Sequence, residues 1–262
     1  YIGEEEPEGN YLEFYKILGI GEEQLIHIEK PARFQKVFVP EAGFRPCIWY
    51  TEEYQRMFDQ MTESVLKDKT LKENFKNIKK IYFSRRKFGK AAATEFGEEY
   101  IEQCFNQNGY ESLGPETLTL REQIYVWNHA EAIACMNGTI PLNVVFCKNE
   151  ELKLTILNKM SIYHKNPYIY LYMRNIQAEF IDIYKEPLKG YPKSLGEGPY
   201  LIKEGKEFFD YCQREKFEIP YTGMKLKFYD LKQEIRYYLC VIGIRNKIRR
   251  VGLYIKRKML RR

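Results

Sequence analysis

The sequence has little of what metal and redox chemistry use. It holds three histidines, His27, His129 and His164, none spaced with a cysteine or another histidine as zinc ligands are. A structural metal is therefore not expected. The six cysteines (Cys47, Cys104, Cys135, Cys147, Cys212 and Cys240) are scattered and form no C-x-x-C pair, so they are expected as reduced thiols of a cytoplasmic protein. No D-x-D triplet occurs, which argues against a carboxylate-held Mg²⁺ or Mn²⁺ on a diphosphate. The G-x-G-x-x-G and Walker A fingerprints are missing, as are a G-x-S-x-G elbow and a plausible Cys/His nucleophile pair. The longest apolar run, Tyr237 to Ile244, is far short of the roughly 20 residues that span a bilayer, and no signal peptide opens the chain. An integral membrane protein is not expected. The chain opens on Tyr1 rather than Met, which suggests a truncated N-terminus.

What is present is enough apolar residue for a sizeable core: 262 residues, 44% hydrophobic and 15% aromatic. The net charge of +6 is uneven. Residues 245–262 hold nine Lys/Arg and no acid, leaving 33 basic against 36 acidic groups elsewhere. Tyr237, Val241, Ile244, Ile248, Val251 and Ile255 recur at near-helical intervals leading into and through this segment, which predicts a basic amphipathic helix on an anionic membrane surface. No aromatic-rich basic sheet or recognition-helix module accompanies it, so nucleic acid is not the expected partner.

From Lys80 on, apolar runs and helical periodicity alternate. Strands are predicted at Ile81–Ser84, Tyr110–Leu113, Ala132–Asn137, Lys153–Asn158 and Glu179–Tyr184, with helices at Thr94–Asn106, Thr119–Ala130, Thr139–Lys148 and Asn166–Gln177 between them. Five short apolar strands with four crossover helices predict an α/β fold, a Rossmann-like doubly wound parallel sheet with a C-terminal helical extension. Upstream, residues 22–44 suggest two short strands with a turn at Lys30-Pro31, followed by a helix capped at Thr51. Downstream, residues 186–200 read as loop, and Glu204–Lys216 and Leu226–Leu239 as two helices. The expected organisation is a bridge from a preceding half-domain (1–50), the Rossmann-like domain (51–190), a loop and helical extension (191–244) and the basic tail (245–262).

In such a sheet, ligands bind beyond the carboxyl ends of the strands. Arg85 and Arg86, following Ser84, lie at one such end and Asn137-Gly138-Thr139 at another. Two cations and a glycine turn on one rim suit a diphosphate, with Thr139 as N-cap of the following helix; a solvated turn and an ordinary Asn-Gly turn are the plainer readings. Thr119 and Glu122 form a capping box, and Glu122 is expected to face the same crevice, where it could accept from ribose hydroxyls. His129 reads as a packing or surface residue.

Taken in order, YLEFYKILGI, FQKVFVPE, IYFSRRKF, GYESLGPETLTLREQIYVWNHAEAIACMNGTIPLNVVFCK and LNK resemble glycosyltransferase family 61, in particular its bacterial capsular polysaccharide members. The likeness runs over residues 11–160 and more weakly to Gly198-Pro199. It implies a GT-B fold whose C-terminal half holds a nucleotide-sugar donor, UDP-type, without a cofactor. The implied reaction is an inverting, metal-independent transfer to a glycan or lipid-linked glycan acceptor, on the cytoplasmic side and peripheral to the cell membrane. The family's Ser-Arg motif falls on Ser84 and Arg85. Its Pro-Glu and Leu-x-Leu-x-Glu-Gln helix start falls on Glu116, Leu118 and Glu122, and its Gly-Thr/Ala-x-x-x-Asn turn on Gly138, Thr139 and Asn143. Pro141 departs from that turn and removes a backbone donor. The family's preceding half-domain, with its Gly-His-Phe-type segment facing the acceptor, is expected to be missing here, so no catalytic base is named. A non-catalytic nucleotide-sugar-binding or assembly module at the membrane is the rival class. An NAD-type domain fits less well, because the Gly-rich turn after the first strand is missing.

Overall fold

A computed structural model of the chain describes residues 8–162, 164–185 and 198–259, and the backbone alone at 90, 92, 93 and 244–259. Its centre is a five-stranded sheet: β1 (Lys80–Phe83), β2 (Glu111–Leu113), β3 (Ala132–Met136), β4 (Lys153–Asn158) and β5 (Ala178–Asp182). All neighbours pair in parallel, in the order β2-β1-β3-β4-β5. Tyr82 pairs with both Ser112 and Ala134, and Ile156 with Phe180. The strand order reverses direction between β1 and β3, which opens a crevice at their carboxyl ends.

Period-two alternation divides the strands between two cores. Ile81, Phe83, Ile133, Cys135, Leu154 and Ile156 face one side, against Trp127 of helix Leu120–His129 and Leu171 of helix Asn166–Arg174. Tyr82, Ala134, Met136 and Leu157 face the other, against Phe105 of helix Glu98–Gln107 and Phe208 of helix Lys206–Arg214. Burying Trp127 or Phe105 completely contributes about 2–3 kcal/mol each. The apolar character of the strands on both faces, as the sequence suggested, follows from this double coverage.

Helix Glu52–Leu66 starts at Thr51, whose hydroxyl accepts from the Tyr54 N–H at 3.2 Å. It packs Phe58 and Met61 against Ile124 and Phe146. The long C-terminal helix, Gly223–Met259, runs on through the region where two separate segments were expected. No helix among the described residues is long and apolar enough to cross a membrane.

Four local expectations change. No strand forms between residues 25 and 43; a two-residue pair, Phe44–Arg45 with Trp49–Tyr50, follows it. Phe38 and Val39 are more than three-quarters exposed, so the β-forming residues of this stretch have no sheet to join. The helix predicted from Thr94 begins at Glu98 instead. Glu95–Phe96 pairs in parallel with Tyr200–Leu201, and Gly97 turns the chain at φ +107°, where a Cβ would lie 1.9 Å from the Ile202 carbonyl oxygen. The segment after β3 is a 3₁₀ helix, Ile140–Phe146, with Pro141 in its first turn, and Thr139 sits in the αR region without a capping hydrogen bond. Most of the 186–200 loop lies outside the described residues, as do residues 260–262 of the tail.

Candidate functional site

The crevice at the reversal point opens into a cavity of about 880 Å³, within the size range of small-molecule sites. Its walls come from the carboxyl ends of three adjacent strands and from the segment that pairs Glu95–Phe96 with Tyr200–Leu201.

The first wall follows β1. Ser84 is buried and extends the ladder, its N–H donating to the Leu113 carbonyl at 2.9 Å, while its Oγ accepts from the Arg86 N–H at 3.3 Å. That turn separates the two arginines. Arg85 lines the cavity, with its Nε donating to Glu95 Oε2 at 3.2 Å and its guanidinium 5.6 Å from the Phe88 ring centroid. Arg86 turns to the helix Glu98–Gln107, where it bonds Glu102 at 2.7 Å and pairs with Glu99 at 3.5 Å. It does not line the cavity.

The second wall follows β4. Lys159 lies just past the strand end, its Nζ 2.7 Å from Glu95 Oε1 and 4.2 Å from the Tyr200 ring centroid. Glu95 is thus held between two cations. The Glu95 and Lys159 side chains are each only 3% exposed, whereas Arg85 reaches solvent at 19%. Burial lowers the Lys159 pKa against the opposing pull of Glu95. Counting formal charges, the trio carries one net positive charge at the cavity wall.

Beneath Arg85 lies Glu98, which is buried and accepts from the Arg85 N–H at 2.8 Å and from the Tyr82 hydroxyl at 3.2 Å. Burial, with some repulsion from Glu95 and Glu102, pushes its carboxyl up to about 7 despite these donors.

The third wall follows β3. Gly138, Thr139, Ile140 and Asn143 line the cavity, and an added Cβ at Gly138 would meet no atom within 4 Å, so its backbone is open to close approach. The Asn143 amide donates to Gln123 Oε1 at 2.8 Å, and the Gln123 amide donates to the carbonyls of Pro115 and Leu118, both at 3.1 Å. Glu116 stands on the same side. Behind this wall a polar chain crosses the strand ends: Asn137 donates to Asn158 and Asn158 to Asp182, each at 2.8 Å.

Of the residues singled out from sequence, Arg85, Glu116, Gly138, Thr139 and Asn143 therefore surround one cavity. Ser84, Arg86, Leu118 and Glu122 lie outside its lining. Leu118 packs against the core, and Glu122 completes the capping box, accepting from the Thr119 N–H at 2.8 Å and its hydroxyl at 3.0 Å. The next helix position, about 100° further round, is Gln123, and that side chain faces the cavity.

Sequence reasoning missed Glu95, Gln123, Lys159, His164 and Tyr200. Lys159 carries the signal that found Arg85, a basic residue one step beyond an apolar strand. His164 lines the cavity with a buried Nδ1 that has no hydrogen-bond partner among the described residues, and burial lowers its pKa.

No curated protein matches the chain. Residues 32–155 match the model of the family Glycosyltransferase 61. That span covers β1, β2, β3 and the start of β4, and with them Arg85, Glu95, Glu116, Gln123, Gly138 and Asn143 of the cavity wall. The matched stretch is similar to a glycosyltransferase family 61 domain, and that similarity supports a glycosyltransferase enzyme.

Proposed function

We propose that the cavity binds a nucleotide-sugar donor, of UDP type, with its diphosphate between Arg85, Lys159 and the Gly138–Thr139 backbone. The observation that carries this reading is the meeting of two cations and an unobstructed glycine at the carboxyl ends of β1, β4 and β3. Glu95 fixes both cations in place before a ligand arrives, so little ordering cost falls on binding.

In the proposed reaction an acceptor hydroxyl attacks the anomeric carbon from the face opposite the diphosphate. A new C–O bond forms as the anomeric carbon–phosphate oxygen bond breaks, which inverts the configuration. The hydroxyl proton leaves to a base, and the electron pair of the broken bond stays on the departing nucleoside diphosphate. Arg85 and Lys159 stabilise that growing charge electrostatically, in the role a metal ion plays elsewhere. His164, kept neutral by burial, can accept a hydrogen bond from a sugar hydroxyl. The acceptor is a growing surface polysaccharide of capsular type, and the basic segment 245–262 keeps the enzyme on the cytoplasmic face of an anionic membrane.

Calorimetric titration of the full chain with UDP and other nucleoside diphosphates tests the donor site. Loss of a charge-assisted contact costs about 1.5–3 kcal/mol, so Arg85→Ala should weaken diphosphate binding roughly 10- to 150-fold. Lys159 still pairs with Glu95 in that variant, so no buried carboxylate is stranded. Unchanged affinity would remove the diphosphate from this cavity.

A further inference from the structure

The helix Gly223–Met259 packs one face on the domain, burying Leu226, Gln233, Tyr237 and Val241. Its other face is uncovered. Met224, Phe228, Leu231, Ile235, Leu239 and Ile242 are each at least half exposed. At about 100° per residue they fall within an arc of roughly 80°, with the partly exposed Tyr238 at its edge. Six large apolar side chains in one stripe over five helical turns are not the scattered exposure usual on a protein surface.

Charge decides what covers the stripe. Lys232 and Lys225 border it on one side and Lys227 on the other, and every exposed charged residue from 223 to 243 is basic. The two acids of this stretch are turned to the domain, Asp230 against Lys203 at 3.0 Å and Glu234 against Lys185 and Lys203. A second copy laid on the same face would set lysine borders against lysine borders. An anionic lipid surface meets both features together, because the apolar arc enters the acyl boundary while the flanking lysines reach headgroup phosphates. The helix cannot cross the bilayer, so it lies along it.

We infer that the 224–242 face of this helix is a membrane-docking surface for anionic lipid, distinct from the basic segment that follows it. The inference does not depend on the donor site, and it differs from the tail's attraction in being apolar as well as electrostatic. Sedimentation of the full chain with vesicles of phosphatidylglycerol and phosphatidylcholine, and with phosphatidylcholine alone, provides the test. The wild type should bind the anionic vesicles preferentially and retain part of that binding at about 1 M salt, where charges are screened beyond about 3 Å. The double variant Phe228→Glu, Ile235→Glu should lose about tenfold or more in partitioning while keeping its affinity for UDP. A second double variant, Lys227→Glu, Lys232→Glu, should lose binding to anionic vesicles without touching the apolar stripe. Wild-type binding by both variants would assign the membrane to the tail alone and overturn the inference, as would a wild type that binds no vesicle. A mass by light scattering that halves in the Phe228→Glu, Ile235→Glu variant without lipid would give the face to a second copy instead.

Discussion

Replacing Glu98 with Gln should make the protein more stable at neutral pH, although it removes a group hydrogen-bonded to the arginine turn. The Glu98 carboxyl is buried, accepts two donors, and titrates at about 7 because burial disfavours its charged form. In the unfolded chain it titrates at its ordinary value, near 4.5. Between those two values the unfolded state gives up its proton first, so stability falls as pH rises through the window and levels off above the folded pKa. A displacement of about 2.5 units corresponds to roughly 3 kcal/mol of lost stability between acid and pH 8. Gln keeps an acceptor for the Arg85 N–H and the Tyr82 hydroxyl but carries no charge. The difference between variant and wild type should therefore grow with pH from 5 to 8, reaching on the order of 5–10 °C in unfolding temperature. Glu204 is also pushed up to about 7, so wild-type and variant scans must be subtracted, which isolates Glu98. Parallel pH profiles for the two proteins would refute the burial argument.

Three further outcomes follow from the same geometry. Gly97→Ala should destabilise by at least about 3 kcal/mol in chemical denaturation, because its Cβ would meet the Ile202 carbonyl at 1.9 Å with φ at +107°. Lys159→Met should weaken UDP binding about tenfold or more by calorimetry, since it removes a cation held 2.7 Å from Glu95 in the cavity wall. His164→Ala should leave UDP affinity within about twofold while raising the KM for a UDP-sugar by roughly 3- to 12-fold, the worth of one hydrogen bond. For the wild type that advantage disappears as pH falls below the lowered His164 pKa, because the protonated imidazole no longer accepts.

The parallel sheet was legible because double burial leaves an unbroken apolar run: the predicted Lys153–Asn158 matches β4, β2 and β3 differ from their predictions by one residue at one end, and β1 is shifted by one residue at both. Residues 22–44 misled for the opposite reason. Val37, Phe38 and Val39 have the residue types of a strand but no partner to pair with, and strand preference expresses itself only on a covered surface. The helix expected from Thr94 shows the same dependence on distant chain, since Glu95–Phe96 is drawn into a strand pair by Tyr200–Leu201, about a hundred residues away in sequence. No local periodicity encodes that pairing.

The site divides along the same line. Strand-end position placed Arg85 and Gly138 on one rim, and it holds equally for Lys159, because all three follow directly from the parallel register of β1, β3 and β4. Side-chain direction did not follow. Adjacent Arg85 and Arg86 diverge, one toward the cavity and one toward Glu102, once the Ser84 hydroxyl ties the turn. Glu95 could not be read at all, yet it organises the cations. A carboxylate in a phosphate site looks adverse until the local charges are counted: with Arg85 and Lys159 on either side of it, the trio keeps one net positive charge. Without it, the nearly inaccessible Lys159 ammonium would lose the carboxylate 2.7 Å from it, and burying a charge with less compensation is costly. Glu95 thus favours the charged form of Lys159 in a place where burial works against it, so the carboxylate supports rather than cancels the cation that an incoming diphosphate meets.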